Sequence, residues 1–344
     1  MNLKKNWALP SEYITIKTID MHTGGEPLRV IVDGLPELQG QGILAKRRYF
    51  MENLDAIRTG LMWEPRGHAD MYGAVITNPQ SKDADFATFF LHNEGYSTMC
   101  GHAIIALSKL VLETGMIEKQ GDEAHLIIDA PPGKIQAWAK RKNGIVESVS
   151  FLNVPSFVYL ADKSIYVDGI GTVNYDIAFG GAFYAFVDAE SIGLSLDASN
   201  YLQQIDWGRK IKLAIMDKIE IHHPFEKELS FLYGTIFVGM PDDKKNHSKN
   251  ICIFANGEVD RSATGSGVSA RAALHFAKGE LKIGESIRIE SIVGSTMDVE
   301  VMESTHFGSF PAVIPKVSGS AFFTGKHEFI FDPNDPYKKG FIFR

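Results

Sequence analysis

Only two cysteines, Cys100 and Cys252, occur in the 344 residues of this chain. That is too few for a disulfide framework, and without CxxC spacing there is no zinc ribbon. A reducing, cytoplasmic setting fits such thiol usage. No apolar run reaches the ~18 residues of a membrane span, so no membrane partner is expected. No cationic run is longer than Lys46, Arg47 and Arg48, which read as a solvated helix face. With a net charge of -7, nucleic acid is not an expected partner either. Low-complexity segments are absent. The opening MNLKKNWALPSEY has two lysines but no apolar stretch behind them, so no secretory leader is expected.

What is present is an ordinary globular composition, 44% hydrophobic and 22% charged, long enough for about two domains. YITIKTIDMHTGGEPLRVIVDG alternates and is rich in Ile, Val and Thr, which predicts two strands around TGGEP. Residues 43–62 carry apolar side chains at helical spacing. DMYGAVIT and DFATFFLHN read as strands. After a helix that starts at Gly101, HLIIDA, KIQAWAK and VESVSFLNV read as a meander turned at PPG and KNG.

The second half repeats that order. A glycine-broken strand region, a helix over 200–220, and the strands ELSFLYGTIFVG and NICIFANG lead to DRSATGSGVSAR. The parallel can be counted: Cys100 precedes Gly101 and a helix stopped at Gly115, while Thr264 precedes Gly265 and a helix stopped at Gly279, fifteen positions on in each case. Both helices are apolar on most faces, which suits helices sheathed by strands. The expected class is α+β, two similar halves, each with strands around one central helix. Residues 1–160 form the first half and carry Cys100, with 335–344 as a candidate returning strand. Residues 161–334 carry Asp260 and Thr264.

Facing helix starts would bring unpaired N–H groups and positive dipole ends to one point, a natural carboxylate site. The same field would lower the Cys100 pKa. Thr264 offers a hydroxyl that stays protonated unless a base activates it. One base opposite one inert hydroxyl makes an asymmetric site.

Plainer readings stand beside these. Free cysteines are usually small buried hydrophobes, the expectation for Cys252 in NICIFANG. His102 reads equally as a helix-start residue bonding backbone, and Asp260 as a turn cap. Gly24 and Gly25 read as a hairpin turn, and His68 and Asp70 as a loop closure. Cys100 and His102 are expected to leave opposite sides of the helix start, which argues against a local thiol–imidazole pair. Cys-Gly-His supplies only two ligands, so no metal site is expected.

Taken together, DMHTGGEPLRVI, RGHADMYGAVI, LHNEGYSTMCGHAIIAL, GGAFYAFVDA, LSFLYGTIF and VDRSATGSGVSAR resemble the proline racemase family of cofactor-independent racemases, epimerases and dehydratases. The resemblance runs from about residue 15 to the C-terminus. It implies a diaminopimelate-epimerase-like fold with the active site in the cleft between the halves, and no cofactor. The racemases of this family use two cysteines, in MCGH and DRSPCGTG. Here the first is Cys100, and Thr264 replaces the second. This pattern is similar to the Cys/Thr subgroup that dehydrates trans-3-hydroxy-L-proline to Δ1-pyrroline-2-carboxylate. By motif position Gly101, His102, Gly265 and Ser266 would hold the substrate carboxylate, and Asp260 with His102 the ring nitrogen. Proline or hydroxyproline racemisation, an inactive amino acid binding protein and a thiol hydrolase remain alternatives. The sequence does not fix the oligomeric state, and a homodimer is one option.

Overall fold

The computed structural model describes residues 8–343, so most of the leader question falls outside the described residues. The fold begins with the hairpin β1 (Ile14–Thr23) and β2 (Glu26–Asp33), followed by α1 (Ile43–Asn53) and α2 (Asp55–Met62). Then come β3 (Tyr72–Thr77), β4 (Phe86–His92), α3 (Gly101–Glu113) and the meander β5 (Glu123–Ala130), β6 (Gly133–Lys142) and β7 (Ile145–Leu152). Next come β8 (Ser156–Val167), β9 (Gly171–Phe179) and β10 (Phe183–Asp188), then α4 (Tyr201–Lys218). It continues through β11 (Leu232–Gly239), β12 (Ser248–Phe254), the short β13 (Glu258–Val259) and α5 (Gly265–Ala277). The chain closes with β14 (Ser286–Glu290), β15 (Thr296–Phe307), β16 (Phe310–Gly319) and β17 (Ala321–Phe331).

All of these strands join one closed, mixed hydrogen-bonded network. α3 packs inside β1, β2, β6, β7, β16 and β17, and α5 inside β8, β9, β15 and β16. Their side chains are buried on every face over Gly101–Val111 and Gly265–Leu274. A helix apolar all round is stable only under such a sheath, because every face must leave water.

Two expectations need correction. Residues 43–62 are two helices, because Leu54 leaves helical geometry at φ -127° and Asp55 starts a new turn held by its ion pair to Arg58. The strand that returns to the start of the chain is β17, which pairs antiparallel with β1 from Ile14↔Phe331 to Thr23↔Ala321. The tail at 335–344 adds only a single bridge, Glu64↔Phe341. Pro333 and Pro336 lack the N–H groups that a continued ladder needs.

β16 is the seam. It pairs with β15 along its length, with β8 at Ala312 and Val313, and with β7 from Lys316 to Gly319.

Candidate active site

The N-termini of α3 and α5 meet head to head. A Cβ built on Gly101 would stand 2.6 Å from the Cα of Gly265, so only glycine lets the two backbones approach this closely. Cys100 is the N-cap of α3, and its Sγ accepts from the Ala103 N–H at 3.4 Å. Thr264 is the N-cap of α5, at φ 67°, an uncommon conformation for a β-branched residue. Between them lies a cavity of about 20 Å³, room for about one water molecule. Cys100, Gly101, His102, Asp260, Thr264, Gly265 and Ser266 all line it. The remaining loop candidates do not. Gly24 and Gly25 make the β1–β2 turn at φ 59° and 90°. His68 bonds the neighbouring Ala69 carbonyl, and Asp70 forms an ion pair with Arg261 at 2.8 Å.

Electrostatics correct two further expectations. Cys100 Sγ lies 3.1 Å from His102 Nδ1, so the two side chains do converge, because the imidazole turns back over the N-cap. Burial holds the Cys100 thiol well above its ordinary value, and the charges of Asp260 and Glu26 push it further the same way. The helix end does act, through the Ala103 N–H, but desolvation in this closed space outweighs it. Burial lowers His102, which favours neutral imidazole, against the pull of Asp260 and a bond to the Pro27 carbonyl.

Asp260 is both turn cap and cavity wall: its Oδ1 accepts from the Ser262 N–H at 2.8 Å. Ser266 Oγ lies 2.7 Å from the Tyr184 hydroxyl. Cys252 is buried as expected, but β12 puts it in the cavity wall beside Thr264 rather than in a remote core. Sequence reasoning missed Glu26, Tyr72, Met99, Tyr184, Tyr233 and Phe254, which complete the lining. Glu26 follows the glycines of HTGGEP directly; one oxygen accepts the Arg261 N–H at 2.7 Å and the other has no partner. Burial, reinforced by Asp260, raises the Glu26 pKa well above the carboxylate range. Among the described residues, no three His, Cys, Asp or Glu side chains converge as metal ligands.

The family profile described as proline racemase matches residues 18–342. The chain belongs to the proline racemase family. A trans-3-hydroxy-L-proline dehydratase of Colwellia psychrerythraea is 52% identical over 332 residues, covering 96% of this chain and 94% of that one. A 3-hydroxyproline 2-epimerase of Burkholderia multivorans is 42% identical over 96% of this chain and 98% of its own. Among solved structures, a hydroxyproline epimerase from Agrobacterium vitis with bound trans-4-hydroxy-L-proline superposes with a TM-score of 0.90 at 29% identity, covering 96% of each chain. Proline racemase family membership thus comes with both dehydratase and epimerase relatives.

Proposed function

We propose that the protein dehydrates trans-3-hydroxy-L-proline to Δ1-pyrroline-2-carboxylate and water, with Cys100 as the base at Cα. The observation that carries this reading is the unequal pair of N-caps, a thiol at one helix end and a threonine hydroxyl at the other. The fold is taken as two pseudo-symmetric halves of the diaminopimelate-epimerase type, with the substrate in the cleft between them. The relative from Colwellia, named a trans-3-hydroxy-L-proline dehydratase, supports the choice of substrate.

The chemistry follows from the ligand. N–H groups at Gly101, His102, Gly265 and Ser266 receive the carboxylate, and Asp260 receives the ring ammonium. Placing that cation beside Asp260 offsets negative charge that raises the thiol, and His102 Nδ1 is near enough to take the thiol proton. In trans-3-hydroxy-L-proline the hydroxyl lies opposite the carboxylate and shares a ring face with the Cα hydrogen. A base on that face removes the hydrogen, the Cα–C3 double bond forms as the C3–O bond breaks, and the same proton leaves with the hydroxyl as water. The enamine then tautomerises to the cyclic imine. Nothing is required from the Thr264 face.

A second reading has one observation in its favour. Cys252 stands on the Thr264 side of the cavity, so a second thiol could reprotonate Cα from the opposite face, as in an epimerase. Incubation with each hydroxyproline isomer in deuterium oxide separates the two readings. Cyclic imine from the trans-3-L isomer is expected. Inverted, labelled hydroxyproline without imine supports epimerisation instead, and binding with neither product supports an inactive binding protein.

A further inference from the structure

Three buried polar atoms that make no well-formed hydrogen bond within the protein line the same small cavity: Glu26 Oε1, Thr264 Oγ1 and the Tyr233 hydroxyl. An unsatisfied buried polar group costs free energy, so three at one cavity describe what the missing ligand must bring. A hydroxylated imino acid brings a carboxylate, a ring ammonium and one hydroxyl. The helix ends answer the carboxylate. Glu26 sits next to Asp260 through its contact with the DRSAT loop, on the ammonium side. Two atoms then remain for the ring hydroxyl.

Stereochemistry decides between them. The 3-hydroxyl shares the ring face of the Cα hydrogen, and so the face of Cys100, whereas Thr264 stands at the opposing helix end. Tyr233 belongs to the Cys100 side. Its ring packs with His92 and Phe254, both of which pack on Tyr72, and Tyr72 sits edge-on to His102 at 4.9 Å and beside the thiol. Its ring is fixed by stacking on Phe254 at 5.4 Å and by edge contacts with Tyr184 and His92. A ring held on several sides aims its hydroxyl without further ordering cost.

Resting on the dehydratase reading, we infer that Tyr233 is the residue that recognises the substrate 3-hydroxyl, donating a hydrogen bond to the oxygen that departs as water. The proton balance of the elimination is unchanged: Cys100 supplies the departing proton, and Tyr233 stabilises charge building on oxygen. Burial raises the Tyr233 pKa well above its ordinary value, which keeps it a donor at working pH.

The test is Tyr233→Phe, read against trans-3-hydroxy-L-proline and against pyrrole-2-carboxylate, a planar ring carboxylate with no hydroxyl. The kcat/KM for imine formation should fall about ten- to a hundredfold, the scale of one lost hydrogen bond to a developing charge. The inhibition constant of pyrrole-2-carboxylate should not change. The melting temperature should hold or rise, since the oxygen removed makes no well-formed hydrogen bond within the protein. Equal losses for both ligands would make Tyr233 a general wall residue and overturn the assignment, as would an unchanged kcat/KM. A lowered melting temperature would show a partner within the protein and also count against it. Wild-type protein that forms no imine from trans-3-hydroxy-L-proline defeats the functional reading itself, before any variant is compared.

Discussion

At the residue scale, the two cysteines differ by position rather than burial, since Cys100 is 4% and Cys252 1% exposed. Only Cys100 caps a helix that meets the opposing one. Cys100→Ser is therefore expected to lower imine formation at least a thousandfold, because a serine hydroxyl is the weaker acid by many pKa units and is almost never present in its deprotonated, basic form. Cys252→Ser should stay within about tenfold of wild type, since a single buried side-chain exchange typically costs about 1 kcal/mol. Steady-state assays of both variants check this, and equal losses would point to two working thiols. Thr264→Cys restores a second acid–base group at a helix start. It is expected to gain weak exchange and inversion at Cα of L-proline, seen as solvent deuterium and by chiral chromatography. Weakness follows from a supporting wall shaped for threonine. Wild-type protein that already inverts proline as fast as it forms imine would remove Thr264 as the reason for one-sided chemistry.

At the element scale, the proposed chemistry depends on two helix ends touching. Gly101→Ala places a methyl 2.6 Å from backbone that has no side chain to move aside. A loss of about 1–3 kcal/mol in stability is expected from such overpacking. The kcat/KM should fall on the order of a hundredfold as the ends separate. Thermal melts and kinetics measure the two effects independently. The β1–β2 turn presents a second element-level test in Glu26. Its folded-state pKa is raised, so the stability it contributes is complete below the ordinary glutamate range and drains away as pH rises towards the folded value. Glu26→Gln removes that dependence. The variant should gain on wild type by up to about 1.4 kcal/mol per pH unit through that window. Denaturant melts from pH 4 to 8 would show parallel curves if Glu26 were ionised throughout.

The helix starts were legible because glycine, a small polar cap and an all-apolar run leave few alternatives. Tyr72, Tyr184 and Tyr233 were not, since alternation in a strand does not say which position faces a cavity and which faces packed core. The break at Leu54 lies inside an unbroken helical pattern. The approach of His102 to Cys100 depends on one imidazole rotamer, which spacing does not encode. The returning strand was misplaced by a few residues of sequence, though Pro333 and Pro336 already argued against pairing there.

At the scale of the whole molecule, the β1–β2 turn is tied to segments far along the chain. Arg261 bonds Glu26 through its N–H and pairs with Asp70 through its guanidinium, and Ser295 Oγ donates to the Gly24 carbonyl at 2.7 Å. The cavity of about 20 Å³ does not admit a five-membered ring with its carboxylate. On the proposed chemistry, each turnover requires the walls of this cavity to part to load and again to unload. Such motion displaces solvent, which friction slows, whereas the proposed proton transfer between Cys100 and Cα in a closed cavity does not feel it. Turnover at saturation is accordingly expected to slow in proportion to added microviscogen such as sucrose if opening limits the rate. A polymeric crowder that leaves microscopic viscosity unchanged should have little effect. Flat dependence on sucrose would place the slow step in the bond-breaking itself, and the tight closure of the two helix ends would then set fidelity rather than pace.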